Sequence, residues 1–577
     1  MQSQKKLRTP FLMTFFALAA MLIMSSCGNT GTTGTPTSAK APDKQQVFRN
    51  PVAGGDINTF DPAQATDLSS IAAIDMVFTG MVSLNDQLQV SPQLAKDWSS
   101  SPDGLTWTFN LKHNLKFSDG SALTSADVAY SIDRALSPAI YNADGISLTY
   151  LGLIKGAADR TAGTIPSVIG TGVQTPDANT VVINITTRSA YFLQALSYST
   201  SYVVEKSVVA KWGDTKWTDH LSENGGQGGD GPFKVLSYDH NTGIVFVPNT
   251  SYEGKQPQLK KVINTFIKDT NTNFLEYQAN QADMSSVPTA EIKQAQALPN
   301  HQFHKAGLLA INYYGLNYLV KPFDNIKIRQ AMALALNKDI IVQSIWGNRY
   351  IPSNHIIPKG MLGYNEGLTG PDGVAKTSGD PAKAKELFAA GMQEEGLTLA
   401  TFPTIKFTYS NASQDTEKEV ITAIQMWQAV LGITSIKTDP TSKIFSEINN
   451  TTGNTSLQMW KIDWYADYPD AQDWITLQFD KGQSSNNSNY GQNTSTDASD
   501  QQALQPQMET ADGTLDQVAR MKLYNQIEQK LINDVAWLPI DQVANTYVLK
   551  PYVIGVVDNA QNLTPPDDWG NIYIAVH

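Results

Sequence analysis

The sequence predicts an α/β protein that folds into at least two packed bodies with mixed sheets. The first observation is length, because 577 residues exceed the roughly 250–300 residues at which a single hydrophobic core stops growing. The second is composition, since 41% hydrophobic and 17% charged residues are typical of a globular chain and exclude wholesale disorder, collagen and a coiled-coil rod. The third is the succession of strand-like and helix-like segments, without a 20–50-residue repeat that would indicate a solenoid or propeller.

The folded part is expected to start near Gln46, and its clearest strand lies in the first half. Apolar and polar residues alternate from Leu105 to Lys112, which is the period of a half-buried strand. Thr124, followed three residues later by Asp127, is typical of a helix N-terminus, and this helix should end before Pro138. β-Branched and aromatic residues predict further strands at 181–185, 233–235 and 244–247.

The second half is dominated by helical signals. One helix begins at Asp380-Pro381 and is expected to end at Gly391, the arrangement of an N-terminal proline and a C-terminal glycine. Another has apolar residues at helical spacing up to Leu431 and ends at Gly432. Two longer helices are predicted at 326–345 and 515–532.

Three segments match part of a functional motif or have an unusual composition, but the surrounding sequence does not support a functional site. Residues 226–231 match G-x-G-x-x-G, but Pro232 and a strand follow where a dinucleotide site needs a helix, so a turn is predicted. His301 and His304 have no partner cluster that could complete a zinc site and are interpreted as isolated surface histidines. The Ser/Asn/Gln-rich stretch 483–507 is interpreted as a long polar loop on a folded body. Neither a metal site nor a cofactor is predicted.

Charge and cysteine content exclude several classes of function. The net charge is −12 and no basic stripe is present, so a nucleic-acid partner is not expected. A single cysteine excludes an internal disulfide framework and any multi-thiolate metal site. The standard signatures of serine hydrolases, zinc peptidases and P-loop NTPases are absent.

The N-terminus predicts export. Three cations among the first eight residues precede a mostly apolar run at 11–24. As a helix this run would be about 21 Å long, which is too short for the ~30 Å hydrocarbon core. A basic flank, a short apolar segment and small residues after it are typical of a signal peptide, here 1–26.

The only cysteine lies where the signal peptide would be cleaved. Cys27 in Met24-Ser-Ser-Cys27-Gly28 resembles the lipobox of bacterial lipoproteins, in which the cysteine is diacylated and becomes the new N-terminus. Residues 27–45 would then be a lipidated cysteine and a flexible tether, because 28–42 contain no apolar residue larger than alanine. The protein is therefore expected at the cell membrane, held by acyl chains and facing the periplasm or the cell exterior.

The densest chemistry lies between Trp460 and Trp474, where four carboxylates and five aromatic residues fall in fifteen positions. Three interpretations are open from the residues alone. Two of the acids could serve a glycosidase as acid and base. Carboxylates and aromatic faces could instead bind a cationic or amine ligand. The segment could also be a purely structural, acidic and aromatic loop between strands.

Several segments, in fixed order, resemble the bacterial extracellular solute-binding proteins of family five, the oligopeptide- and dipeptide-binding group. The most specific is 117–131, which resembles "F-x-DG-x-x-x-T-A-x-DV-x-x-S". Residues 464–470 are close to "W-x-ADYPDP", although Ala471 replaces the final proline, and 229–233 resemble "GTGPF" with Asp230 in place of threonine. Further matches lie at 60–67, 249–255, 329–338, 538–539 and 551–555.

This resemblance implies a two-lobed periplasmic-binding-protein-like fold. It would be of type II, the large variant with an extra subdomain in the first lobe, and it would have a hinge between the lobes. Lobe I would comprise 46–305, lobe II 306–536, and the chain would return to lobe I over 537–577. Two crossings between the lobes suit hinge closure on a ligand.

The resemblance also implies a site. The aspartate of the family's "ADY" motif pairs with the ligand α-ammonium group, and that position here is Asp467. Trp464 and Tyr465 would line the cleft beside it. Peptide main chain would be recognised in extended form, like an added strand.

The implied function is that of a receptor, not an enzyme. It would capture short peptides as a monomer and deliver them to the permease subunits of an ABC importer. An alternative within the family is an oligosaccharide or other solute as ligand, with Trp460, Trp464 and Trp474 stacking on sugar rings. A remote alternative is a secreted glycoside hydrolase that uses Asp463 and Asp473.

Overall fold

The structure is a computed structural model that describes residues 39–53, 55–144, 146–483 and 485–577. The predicted signal peptide 1–26 and Cys27 lie outside these residues. Residues 39–45, which the sequence assigns to a flexible tether, pack instead against the C-terminal segment. Ala41 is buried and its N–H donates to the Ile574 carbonyl at 2.9 Å, while the Val576 N–H donates to the Ala39 carbonyl at 2.9 Å. Among the described residues, packing therefore extends back from Gln46 to at least Ala39.

Lobe I contains two sheets with separate cores. In the first sheet the strands Val47–Arg49, Lys261–Ile267, Gly243–Pro248 and Phe233–Asp239 lie side by side, with Val52–Ala53 also paired to Lys261–Ile267. The helix Leu68–Val77 contributes to the core of this sheet. C-terminal residues, among them Trp569 and Ile574, complete the same core. The C-terminal segment therefore packs in the same lobe as the strand Val47–Arg49.

The second sheet of lobe I forms a subdomain. Its four antiparallel strands are, in order, Ala95–Ser100, Thr106–Leu111, Thr180–Asn184 and Val173–Asp177. The helix Ser125–Ala135 packs on this sheet, and Thr124 and Asp127 form the expected capping box. The strands predicted at 181–185 and within 105–112 are thereby confirmed.

Lobe II is built on a seven-stranded mixed sheet that continues into lobe I at the strand Met284–Ser286. Alternate residues of its strands face opposite sides, so that Tyr313 belongs to one hydrophobic core and Tyr314 to another. The strands lie in the order Met284–Ser286, Leu538–Leu549, Phe303–Leu316, Met459–Tyr465, Ile405–Ser410, Ile436–Thr441, and Ile351–Pro352 pairs with Leu538–Leu549.

Two long antiparallel strands, Phe303–Leu316 and Leu538–Leu549, connect the lobes. Leu538 belongs to a lobe II core, whereas Leu549 belongs to the lobe I core. The return to lobe I therefore takes place inside a continuous strand and not before it at residue 537. With two crossings and a core on each side, the chain has the predicted two-lobed type II α/β fold.

The predicted helices are largely present, with one division. Gln414–Leu431 ends at Gly432 in a left-handed conformation, and Gln517–Asp534 replaces the predicted 515–532. The segment 326–345 is not one helix but two, Ile326–Leu334 and Lys338–Trp346, because the side chain of Asn337 accepts the Ile340 N–H and starts a new helix.

The remaining elements are shorter. Two small antiparallel pairs join Val82–Leu84 to Val90–Pro92 and Val553–Ile554 to Tyr573–Ile574. The other α-helices apart from Pro381–Glu394 are Pro138–Asp144, Ser147–Leu151, Ala157–Thr161, Phe192–Leu196, Lys206–Trp212, Thr270–Gln278, Ile292–Gln296, Ile444–Asn449, Ala471–Trp474, Thr476–Phe479, Ala498–Gln502 and Gln505–Gly513. In the part of the chain that is described, no helix is both long enough and apolar enough to cross a bilayer.

The three ambiguous segments have structural roles. The 226–231 motif is a turn before the strand Phe233–Asp239, as predicted, and the buried Asp230 accepts hydrogen bonds from the Thr79 N–H and hydroxyl at 2.9 and 2.6 Å. His304 pairs with Asp558, and no group of three or more metal-ligating side chains occurs in the described ranges. Of the described residues in 483–507, those up to Asp497 form an irregular loop, and short helices begin after it.

Gly391 does not end its helix, which runs from Pro381 to Glu394. Its role is close packing, because a Cβ at this position would lie 2.7 Å from Ile328 Cγ1 and 3.0 Å from Asn325 Oδ1 of the helix Ile326–Leu334. The glycine that looks like a stop signal in the sequence is therefore a site of helix–helix contact.

We expect Gly391→Ala to lower the free energy of unfolding of lobe II by about 1–3 kcal/mol, because overpacking outweighs the better helix propensity of alanine. Denaturant unfolding followed by tryptophan fluorescence measures this. The matched control is Gly513→Ala, at a helical glycine with open space around it, which should be neutral or slightly stabilising. Equal effects of the two substitutions would contradict the packing role of Gly391.

Candidate functional site

A cavity of about 550 Å³ lies between the two lobes, within the size range of small-molecule sites. Both lobes and the C-terminal segment contribute to its wall. The main contributions come from residues 66–84 and 197–202 of lobe I, Phe445 and 463–469 of lobe II, and 560–566 of the returning chain.

All three residues predicted for the ligand site line this cavity. The strand Met459–Tyr465 ends at the cavity wall, and Asp467 follows two residues later. Trp464 is half-buried, whereas the Tyr465 side chain is exposed. The three predicted residues lie together in the structure, because the end of one strand and the turn after it bring their side chains to the same wall of the cavity.

The Asp467 carboxylate points toward lobe I. Its Oδ1 accepts a hydrogen bond from the Tyr150 hydroxyl at 3.1 Å. Burial raises the pKa of Asp467 to about 6, although this hydrogen bond partly offsets the rise. Near pH 7 the carboxylate is mostly ionised, so it offers a poorly hydrated negative charge to a ligand.

The side chain of Asp473 stabilises the turn that carries Asp467 through two hydrogen bonds. Its Oδ2 accepts hydrogen bonds from Trp464 Nε1–H at 3.1 Å and from the Asp467 N–H at 3.3 Å. Burial, together with the nearby charge of Asp467, raises the pKa of Asp473 well above its usual value. Ionisation of Asp473 is therefore disfavoured by its burial and by Asp467, and Asp467 is the more readily ionised member of the pair.

A row of tyrosines continues the site into lobe I. The Tyr150 and Tyr198 rings stack with centroids 3.9 Å apart. Tyr468 comes from lobe II, yet it is buried in the subdomain core, where its ring stacks on Tyr191 at 5.6 Å. The lobes are thus in direct contact beside the cavity.

Two alternatives from the sequence do not fit this geometry. Trp460 and Trp474 are fully buried in a lobe II core, so they cannot stack on a sugar in the cavity, and only Trp464 of the predicted trio lines it. Asp473 is also fully buried, and the Asp463–Asp473 pair therefore does not face a substrate as a hydrolase would require.

Sequence reasoning missed the lobe I half of the site. Asp75, Tyr198 and Tyr202 also line the cavity, but they come from two distant segments and no spacing connects them. Asp75 had a signal of its own, since it is the single acid within the apolar helix Leu68–Val77.

Comparison with known proteins gives a consistent result. The sequence model of the bacterial extracellular solute-binding proteins, family 5, middle region, matches residues 89–486. The oligopeptide-binding protein OppA of Bacillus subtilis is 25% identical over 556 residues, which cover 93% of this chain and 94% of that protein.

Solved structures share the fold. The unliganded open form of the periplasmic murein tripeptide binding protein MppA superposes with a TM-score of 0.75 at 23% identity, covering 94% of this chain and 99% of that one. OppA of Haemophilus influenzae in complex with the peptide RPPGFSPFR gives a TM-score of 0.70 at 23% identity, covering 92% and 100%. The two-lobed architecture predicted from the sequence motifs is confirmed.

Proposed function

Because this chain belongs to the bacterial extracellular solute-binding proteins of family 5, we propose that it binds short peptides between its lobes and delivers them to the permease of an ABC importer. The observation that carries the peptide assignment is the Asp467 carboxylate at the wall of the interlobe cavity. Relatives named for oligopeptide binding, over nearly the whole length of the chain, support the same assignment. The function is binding without chemical conversion of the ligand.

The charge of the cavity favours an ammonium group. Among the described residues that line it, Asp75, Asp463 and Asp467 are acidic and none is Lys, Arg or His. A peptide α-ammonium at Asp467 would exchange its water shell for a charge-assisted hydrogen bond to a carboxylate that is already desolvated. Trp464 and Tyr465 would flank the first residue of the peptide.

The neighbouring strand offers a free edge for peptide main chain. Met459–Tyr465 pairs along its whole length with Phe303–Leu316, but with Ile405–Ser410 only at Met459 and Trp460. Among the described strands, residues 461–465 are therefore paired on one side only. A ligand in extended form could add to this edge through backbone hydrogen bonds, which demand no particular side-chain sequence.

We also propose export and membrane anchoring. Residues 1–26 would direct export, and acyl chains on Cys27 would hold the protein at the outer face of the membrane. Even fully extended, residues 28–38 would keep Ala39 within about 40 Å of the lipidated cysteine. The body would work as a monomer, with lobe I over 39–305, lobe II from 306 into the strand Leu538–Leu549, and the return to lobe I within that strand.

Mass spectrometry of whatever co-purifies with the protein tests the peptide assignment. The chain should be expressed from Gly28, because residues 39–45 are part of the packed body. We expect a mixture of short peptides to be released on denaturation, and calorimetry should then give at least tenfold tighter binding of tri-alanine than of N-acetyl-tri-alanine. Recovery of one glycan or metal chelate, or indifference to acetylation, would contradict the proposal.

A further inference from the structure

The cavity contains a second buried carboxyl group, on the lobe I side. Asp75 lies near the end of the helix Leu68–Val77 and is 7% exposed. Its Oδ1 is buried and has no hydrogen-bond partner. Ser199, which is 1% exposed and also lines the cavity, has an unpartnered hydroxyl as well. Because buried polar atoms are rarely left unpaired, these two atoms indicate a missing hydrogen-bond donor from a ligand.

The surroundings of Asp75 supply no cation. A hydrogen bond from the Tyr202 hydroxyl reaches its carboxyl group, and Asp230 lies beyond Tyr202. Burial raises the pKa of Asp75 to about 7, and the Tyr202 hydrogen bond offsets this only in part. In the absence of a ligand, an ionised Asp75 would be both buried and unpaired, which is costly.

Asp75 lies near the place proposed for the ligand N-terminus. The Tyr198 phenol lies close enough to both Asp75 and Asp467 for each carboxylate to raise its pKa. Tyr198 also stacks on Tyr150, whose hydroxyl donates to Asp467. The two carboxylates thus flank one tyrosine, and a ligand held at Asp467 by its α-ammonium would present its first side chains to Asp75.

We propose that Asp75 binds the cationic side chain of a lysine or arginine in the first or second residue of the peptide. This inference rests on the proposed function and adds a preference to it. An ammonium or guanidinium group would supply the donor that Asp75 Oδ1 lacks, and Ser199 Oγ could accept from the same group. A carboxylate-bearing side chain would be excluded there by charge repulsion and by the absence of a cation among the described lining residues.

The test uses lysine and norleucine peptides, which differ by the ammonium group on a shared aliphatic stem. Calorimetry with the purified protein compares Lys-Ala-Ala with Nle-Ala-Ala, and Ala-Lys-Ala with Ala-Nle-Ala. We expect at least tenfold tighter binding of the lysine peptide in one of the pairs. Asp75→Asn should reduce that ratio below threefold while changing the affinity for the norleucine peptide by less than threefold. The control Asp463→Asn, at a third aspartate of the cavity wall, should keep the ratio.

A ratio near one in the wild type, or a ratio that survives Asp75→Asn, would overturn the inference. Loss of the ratio in the Asp463 variant alone would also overturn it. With each of these three outcomes, tight binding of tri-alanine would leave the proposed function intact. If none of these peptides binds, the proposed function fails and the inference fails with it.

A second measurement needs only the wild type, should Asp75→Asn not fold. Because burial raises the pKa of Asp75 to about 7, part of the population carries a proton there at pH 7, and a bound cation would displace it. The neighbouring Tyr198 and Tyr202 have raised pKa values and stay protonated. Calorimetry in two buffers of different ionisation enthalpy should show more proton release on binding of the lysine peptide than of the norleucine peptide. Equal proton release would overturn the inference.

Discussion

Asp467→Asn is expected to weaken binding of tri-alanine by more than tenfold, about 1.4 kcal/mol or more. The asparagine keeps the shape of the side chain and can still accept the Tyr150 hydrogen bond. It removes the negative charge, however, so the ligand ammonium would be transferred from water to a cavity wall without a counter-ion. Calorimetry at pH 7 measures the loss.

The pH dependence of binding gives the same prediction an independent readout. Burial raises the pKa of Asp467 to about 6, and only the ionised form pairs with the ammonium group. Affinity of the wild type should therefore be highest near pH 7, because the peptide α-ammonium begins to lose its proton above that, and it should fall by about tenfold by pH 5, where most of the carboxyl groups are protonated. The asparagine variant should lack this dependence.

The matched control for both readouts is Asp463→Asn. Asp463 lines the same cavity and lies four residues before Asp467, so the two variants change the cavity charge equally. If the ligand α-ammonium is held by a specific ion pair with Asp467, Asp463→Asn should change the affinity for tri-alanine by less than threefold. Equal losses in the two variants would mean that general electrostatic attraction, and not a specific ion pair, holds the ligand.

Local sequence signals predict the elements of this fold well, because they depend on neighbours in the chain. The capping box of Thr124 and Asp127 and the alternation within 105–112 require contacts only within a few residues or one sheet face. The prediction that Gly391 ends its helix is wrong, because the role of this glycine depends on a contact that is distant in sequence. Its function is defined by Ile328 on another helix, and no local pattern distinguishes a glycine that ends a helix from one that lets two helices approach.

The difference between local and long-range contacts also explains which half of the site could be predicted from the sequence. Asp467, Trp464 and Tyr465 lie in one short segment, so a motif could carry them together. Asp75 and Tyr198 reach the cavity through the packing of lobe I, more than 100 residues apart in sequence. Their proximity follows from the tertiary fold, and a single sequence contains no periodicity that reports it.

Arg520→Met should lower the free energy of unfolding of lobe II by about 3–5 kcal/mol. Arg520 Nη1 donates to Asp470 Oδ2 at 2.7 Å and Nη2 donates to Asp470 Oδ1, and both side chains are almost fully buried, with 4% and 1% exposure. The substitution leaves Asp470 as a buried carboxylate without its cation. Denaturant unfolding, monitored by the fluorescence of the buried lobe II tryptophans, measures the effect.

The substitution should also weaken peptide binding, because Asp470 fixes the turn that carries Asp467. Asp470 Oδ1 accepts the Gln472 N–H at 2.9 Å and starts the helix Ala471–Trp474. Without Arg520, the carboxylate would move toward water and take the turn with it. We expect binding of tri-alanine to weaken at temperatures where the variant is still folded.

Two controls separate this mechanism from a general loss of charge. Lys481 and Glu509 form an exposed ion pair at 3.2 Å, and Lys481→Met should cost less than about 1 kcal/mol. The double variant Asp470→Leu/Arg520→Met removes both buried charges and should recover much of the stability lost in Arg520→Met. It should not recover peptide affinity, because the cap of the helix Ala471–Trp474 remains absent. Recovery of both properties together would show that the buried ion pair stabilises lobe II without positioning Asp467.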